Sequence, residues 1–244
     1  MRAATADVPL PTIKSSTSAA SLLQFQAVST DEVISAVRAL PDKCCLLDPL
    51  QTKLFKTVVD LNAPFIAEVF NRSLSTGHVP DNFKTAYITP RLKKNNMDPV
   101  DPSSYRPISN LSVLSKLLER LVACRLLAHL RSSGLLPRLQ SAYRANHSVE
   151  TAVLKVLSDI LLAIDNGDLS SLVSLDLSSA FDTVDHSILL QRLELTFGIG
   201  EMALSWFRSY LDGRRQQVRA GRSSSSLSVI HCGVPCYILP TCCR

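Results

Sequence analysis

At 244 residues the chain could hold one large domain or two small ones. Its 46% apolar content supplies a core built on Leu, Val, Ile and Ala, since only 6% of residues are aromatic. A formal charge of +5 favours polyanionic partners, and seven cysteines without framework spacing exclude a disulfide-built secreted domain. No apolar run approaches the ~18 residues of a membrane span, so the chain reads as soluble and intracellular, cytoplasmic or nuclear, with no membrane partner.

Residues 1–28 are rich in Ser, Thr, Ala and Pro, lack an apolar period and predict a disordered lead-in. Ser29-Thr30-Asp31 then starts a helix with Val33, Ile34, Val37 and Leu40 on one face, stopped by Pro41. A second short helix is expected from about Leu50 to Asp60 and a third from Pro64 to Leu74, ending near Gly77. Residues 29–82 thus form a helical N-terminal extension with no assigned chemistry. Phe83 to Pro90 reads as a strand with Pro90 at its edge, followed by the polar loop RLKKNNMDPVDPSS and by YRPIS.

Asn110 or Ser112 can cap the next helix, whose stripe is Leu114, Leu117, Leu118, Leu121, Val122 and Leu126 and whose end is Gly134. Ser148 caps another, with Glu150 in the first turn where the helix dipole favours an acid. Val149, Val153, Val156, Leu157, Ile160 and Ile164 form its apolar face, and Asn166-Gly167 supplies a left-handed exit. A strand ending at Asp176 follows, then helices around Ile188–Phe197 and Met202–Leu211. Gln216–Ala220 and Leu227–His231 suggest a small hairpin around GRSSSS. Helices and strands intermix without βαβ alternation, which makes the class α+β.

The densest chemistry is in SLVSLDLSSAFDTVDH, Ser171 to His186. Apolar Leu172, Val173 and Leu175 lead into one acid, Asp176, at the end of the expected strand. Asp176 is either an N-cap for the next helix or a magnesium ligand, with the Leu177 carbonyl as a further oxygen. Mg²⁺ takes one or two carboxylates plus phosphate oxygens, and a pair of such ions drives phosphoryl transfer. Asp182 and Asp185 fit helix-start acids better than metal ligands. Phe181 is either a core aromatic or a ring beneath a bound sugar, where it would exclude a ribose 2′-hydroxyl.

In YRPIS the proline holds Arg106 extended, so its guanidinium can grip triphosphate oxygens in bidentate fashion or lie as an ordinary surface arginine. Lys93 and Lys94 offer a second cation. Basic residues outnumber acids across 81–150, and Arg208, Arg214, Arg215, Arg219 and Arg222 form a second group broken only by Asp212. A zinc site from Cys232, Cys236, Cys242, Cys243 and His231 is disfavoured because no CxxC pair exists.

Taken in order, FKTAYITPRLKK, SSYRPISNLSVLSKLLERLVACRLLAHL, LLPRLQSAYRANHSVETAVLKVLSDILLAID, SLVSLDLSSAFDTVDH, SWFRSYLDGRRQQVR and HCGVP resemble the reverse transcriptase of non-LTR (LINE-type) retrotransposons over roughly residues 30–235. The resemblance implies a right-hand polymerase fold, with fingers and the first part of the palm at 83–235 and the thumb absent. It implies RNA template, DNA primer and dNTP as partners and Mg²⁺ as cofactor. Asp176 would be the first metal-binding aspartate of the palm and Phe181 the deoxyribose-selecting ring. Arg106 would lie on the incoming triphosphate, with Lys93 or Lys94 near the position of its lysine partner. Gly233, Val234 and Pro235 would begin the loop under the nascent base pair, and Tyr143 and Arg144 would be structural or template-facing.

The sequence departs from this family after Pro235. The family continues Gly-x-Pro-Gln-Gly, then a helix, then Tyr-x-Asp-Asp, whereas here Cys236 and Tyr237 follow and the chain closes as YILPTCCR. Residues 236–244 read as an aberrant tail of the kind a frameshift or mispredicted exon leaves, and no endonuclease domain precedes residue 30. One carboxylate cannot hold two divalent ions ~3.5–4 Å apart, so the expectation is a reverse transcriptase domain inactive as it stands. The alternative is a non-enzymatic nucleic-acid-binding or scaffold protein that reuses the basic surface.

Overall fold

Helices begin where a side-chain oxygen caps them. Ser29 caps α1 (Thr30–Arg38) in a reciprocal box with Glu32, and Arg38 at its end pairs with Asp60. The computed structural model describes residues 12–13, 20–42, 51–177, 180–221 and 223–233. The two short helices expected at 50–60 and 64–74 are one, α2 (Thr52–Thr76), which runs through Pro64. An interior proline costs about 3 kcal/mol, because a backbone donor is lost and the ring crowds the preceding turn. Burial on both sides offsets that cost: Val59, Ala63, Ala67 and Phe70 face the core. Gly77 ends α2 in the left-handed conformation (φ 64°), and a Cβ there would lie 2.9 Å from Ser205 Cβ.

Ser112, one of the two expected caps, accepts from the Ser115 amide to start α3 (Val113–Ser132). Leu117, Leu118, Leu121 and Val122 of its predicted stripe are buried. Ser148 and Thr151 close a capping box on α4 (Val149–Asp165), while Asp185 accepts from the Ser187 and Ile188 amides to start α5 (His186–Leu195). The last helix is α6 (Glu201–Leu211).

The core joins α1, α2, α3 and α6 around Trp206, with Phe25 edge-on to its ring at 5.9 Å and Tyr210 stacked on it at 5.3 Å. Phe25 and Val28 belong to the segment expected to be disordered. Residues 20–28 are instead built into the fold. Leu22 bridges Ile199, its amide donates to the Gly198 carbonyl, and the Asn71 side chain both accepts from and donates to the Val28 backbone. Arg125 completes the clamp by donating to the carbonyls of Gln26 and Ala27 and pairing with Glu32. The buried Phe25 and Val28 and these hydrogen bonds offset the entropy cost of ordering the stretch. Residues 1–11 and 14–19, the rest of that lead-in, lie outside the described residues.

The sheet is mixed: β1 (Thr85–Leu92) pairs antiparallel with β2 (Tyr105–Asn110) and parallel with β3 (Arg215–Ala220). β3 also pairs antiparallel with β4 (Ser223–Ser224) and β5 (Ser228–Val229), which is the expected hairpin region. The strand order is β2-β1-β3-β4, so β1 is central rather than an edge. Pro90 faces Pro107, beyond the Thr85–Ile88 stretch that β3 covers. Helices and a mixed sheet make the molecule α+β. Among the described residues no helix is long and apolar enough to cross a membrane.

Two elements depart from expectation. No residue of α4 is buried: Val153, Leu157 and Ile164 of its apolar face are all exposed. The strand expected to end at Asp176 is absent, and residues 168–177 have no regular secondary structure. Leu172, Val173, Leu175 and Leu177 stand 68–87% exposed. Apolar alternation becomes a strand only beside a hydrogen-bonding neighbour, and among the described residues none runs alongside.

Candidate functional site

The arginine of YRPIS lies in β2, with its side chain exposed. The ladder register sets it directly opposite Arg91 of β1, so both guanidinium groups project from the same face. Like charges directly opposite each other destabilise a sheet pair. Neither side chain has a carboxylate or hydrogen-bond partner among the described residues, and the strands hold the pair open to solvent. This is a ready-made grip for a multiply charged anion. Sequence reasoning named Arg106 as a triphosphate grip and missed Arg91, because the register that sets the two opposite each other is not legible in either segment alone.

Lys93 and Lys94 follow β1 in an exposed turn. The Lys93 amide donates to the Ser104 carbonyl (2.9 Å) and Met97 donates to the Lys94 carbonyl (3.3 Å), closing the loop back onto the start of β2. Asp101 faces Lys93 across that loop. The Ser103 hydroxyl and amide hold its carboxyl below the usual range, with Lys93 a smaller contribution. The lysines are therefore tethered to the arginine pair through backbone, although Arg91 stands nearer to Arg106 in the ladder than either lysine does.

A second cluster gathers around Phe181. The 181–184 turn and Gly233 pack backbone to backbone: the Gly233 amide donates to the Val184 carbonyl at 2.8 Å, and His186 Nε2 donates to the Gly233 carbonyl at 2.8 Å. Gly233 has φ 88°, and a Cβ on it would lie 3.0 Å from the Phe181 carbonyl, so only glycine fits without displacement. Phe181 is half exposed, with the Tyr143 ring edge-on to it at 6.4 Å. Tyr143 itself adopts φ 61°, a left-handed conformation that a bulky residue holds only when its surroundings enforce it. The enforcement comes from Arg144, whose Nη1 donates to the carbonyls of Pro137, Arg138 and Gln140. Arg144 thereby ties the QSAYR turn to the loop at Pro137–Gln140. His186 was not singled out from the sequence, because a lone histidine at a helix start carries no distinguishing pattern.

Asp176 is exposed and makes no hydrogen bond or ion pair among the described residues, and the Leu177 carbonyl belongs to the same irregular stretch. Asp185 is the N-cap of α5, as expected of a helix-start acid. No group of three His, Cys, Asp or Glu side chains that could hold a metal ion occurs among the described residues. Pro235 lies outside the described residues, as do Cys236, Cys242 and Cys243 of the disfavoured zinc set.

Two members of the basic clusters are buried and a third, Arg125, is partly buried; Lys84 is 5% exposed and pairs with Asp81 at 3.3 Å. Arg214 is 2% exposed, its guanidinium lies over the Tyr210 ring at 4.5 Å, and its Nη2 approaches Glu119 at 3.8 Å. Tyr210 donates to the same Glu119 oxygen at 2.8 Å. Burial pushes the Glu119 carboxyl up, against the opposing pull of Arg214, and drives the Tyr210 phenol well above its ordinary value. Arg125, already described, is committed to the segment at 26–32. All three are committed to partners within the fold.

Comparison with known proteins supplies the context for these clusters. The profile of the family described as "Reverse transcriptase (RNA-dependent DNA polymerase)" matches residues 92–236. The chain is 32% identical over 87% of its length to "Probable RNA-directed DNA polymerase from transposon BS" of Drosophila melanogaster, and 31% identical over 87% to "RNA-directed DNA polymerase from mobile element jockey" of the same species. It is 33% identical over 70% of its length to "Probable RNA-directed DNA polymerase from transposon X-element". The alignments span 23%, 23% and 18% of those relatives' own lengths.

Proposed function

This chain belongs to the reverse transcriptase family of LINE-type retroelements, and on that premise we propose that it carries the incoming-nucleotide half of an RNA-directed DNA polymerase. Residues 83–235 correspond to the fingers and the first part of the palm of a right-hand polymerase. The paired guanidinium groups of Arg106 and Arg91 take the triphosphate, with Lys93 and Lys94 closing on it from the adjoining turn. Phe181 lies under the sugar and rejects a 2′-hydroxyl by contact, while Gly233 and Pro235 border the nascent base pair. RNA template and DNA primer are the remaining partners, inside the cell in the cytoplasm or nucleus.

Asp176 is the first magnesium carboxylate in this proposal, with the Leu177 carbonyl beside it. Those two groups do not fit a pair of divalent ions: one exposed carboxylate neither offsets the ions' mutual repulsion nor fixes their spacing. The work of the chain's own residues is to bind the triphosphate, orient it through the β1–β2 ladder and sort sugars at Phe181.

The observation that carries the proposal is the cross-strand Arg91–Arg106 pair, which has no counter-charge among the described residues. Titration of the protein with dNTP tests it. Arg106→Gln and Arg91→Gln should each weaken binding about 10-fold or more, the value of a charge-assisted hydrogen bond. Phe181→Ala should leave dNTP affinity nearly intact and raise rNTP affinity toward it. Unchanged dNTP binding in both arginine variants would remove the proposal.

A second reading, a non-enzymatic nucleic-acid-binding or scaffold protein derived from a retroelement, is favoured by the absence of acids from the sheet strands. Primer extension on an RNA template separates the two. Product that Asp176→Ala abolishes belongs to the polymerase, and nucleic-acid binding without extension belongs to the scaffold.

A further inference from the structure

Tyr143 holds a backbone conformation that its side chain does not favour. Its φ is 61°, and Asn146, three residues on, has φ 62°. Asparagine visits the left-handed region readily, whereas a bulky aromatic residue is strained there. Burial does not explain the strain, since Tyr143 remains 44% exposed. Closure of the turn does not require the ring either. Arg144 Nη1 reaches the carbonyls of Pro137, Arg138 and Gln140, and Gln140 Nε2 donates to the Ala142 carbonyl at 3.3 Å. Those bonds hold the segment whatever side chain stands at 143. Among the described residues the one aromatic ring that Tyr143 meets is Phe181, edge-on, with centroids 6.4 Å apart and planes at 79°.

Phe181 needs such a neighbour. Its backbone is fixed from one side: a Cβ at Gly233 would meet the Phe181 carbonyl at 3.0 Å and Asp182 Cα at 3.1 Å. The ring has no equivalent restraint there, and it stands 44% exposed on the turn before α5. An exposed ring hops between staggered χ1 wells on the picosecond-to-nanosecond scale. A ring that swings aside offers no surface for a 2′-hydroxyl to strike, so exclusion by contact requires one rotamer to be held. Edge-to-face contact is a preferred and directional arrangement of two aromatic rings, and it supplies that hold. We infer that Tyr143 is a positioning residue for sugar selection, a strained tyrosine whose ring braces Phe181 in the orientation that rejects a ribonucleotide. This role rests on the reading of Phe181 as the ring beneath the sugar. It gives the strain at Tyr143 a use that the fold alone does not.

The test is calorimetric titration of the whole chain with dATP and with ATP, read as the preference for dATP, alongside the melting temperature. Tyr143→Asn removes the ring and installs a residue suited to positive φ. It should lower the preference about 10-fold, the lower end of what contact with one small group discriminates. Affinity for dATP should stay level, and the melting temperature should hold or rise as the strain is relieved. Tyr143→Phe, which keeps the ring, should preserve the preference. In a Phe181→Ala background Tyr143→Asn should have no further effect, since the ring it braces is gone. A preference unchanged in Tyr143→Asn, where Phe181→Ala abolishes it, would overturn the inference and leave the parent reading standing. A preference lost together with dATP affinity and melting temperature would mark a merely structural residue and overturn it as well. No preference in the unaltered chain, or one that Phe181→Ala leaves intact, would remove the sugar reading of Phe181 and the brace with it. Binding of dATP that fails in Arg106→Gln keeps the triphosphate grip whichever way the sugar experiment falls.

Discussion

Gly233 is held at φ 88° between two hydrogen bonds, one from its own amide to Val184 and one to its carbonyl from His186. Gly233→Ala puts a methyl 3.0 Å from the Phe181 carbonyl in a conformation that costs an L-residue of order 1–3 kcal/mol. The expected result is a lowered melting temperature together with loss of any sugar discrimination at Phe181. His186→Ala, which removes only the hydrogen bond, should have a smaller effect on the melt. Glu119 offers a test by pH. Its folded-state pKa is raised, chiefly by burial, above the ordinary 4.5. A raised acid stabilises the fold fully below its unfolded value, and that contribution is lost as pH rises through the folded value. Urea unfolding should therefore show the unaltered chain losing stability relative to Glu119→Gln as pH climbs from about 4 toward neutrality. A relative gain over that range would mean the Arg214 pairing outweighs desolvation.

At the scale of elements, α3 and α4 make a controlled comparison. Both are amphipathic by sequence and both are capped by serine, yet α3 buries its stripe and α4 buries nothing. Leu117→Ala should cost about 2–5 kcal/mol, as cavity-forming changes in a packed core do. Leu157→Ala on α4 should stay within about 0.5 kcal/mol, the range of surface substitutions. Chemical denaturation of the two variants checks both values, and a large loss at Leu157 would show that α4 packs in solution. Pro64→Ala belongs here too. Restoring the missing donor inside α2 should raise the melting temperature, because the neighbouring turns are already anchored by Val59 and Ala67.

For the molecule as a whole, apolar exposure is concentrated on α4 and the 168–177 stretch, where Leu154, Leu161, Leu162, Leu169, Leu172 and Leu175 are all more than half exposed. Contiguous apolar surface of this kind drives association. Leu154→Glu with Leu161→Glu should shift light-scattering and gel-filtration profiles toward the monomer without changing the melt. Caps and periodicity made the sites of α1, α3, α4, α5 and α6 legible in the sequence, because both are local. Pro64 misled because a breaker's cost was weighed without the burial that offsets it. Residues 20–28 misled because their apolar residues follow no helical or strand period, and the partners of Phe25 and Val28, Trp206 and Asn71, are far along the chain.

The family, the capped helices and the identities of Arg106, Asp176, Phe181 and Gly233 as candidates came from the sequence alone, since composition, spacing and motif order are carried by neighbouring residues. Tertiary structure decided which side chains meet. It set Arg91 against Arg106 through the β1–β2 register. It also took Lys84, Arg125 and Arg214 out of the pool of surface cations by holding them against carbonyls and carboxylates of the fold. Those outcomes depend on pairings between distant segments, and a strand's side-chain pattern records which face a residue takes but not which strand lies beside it.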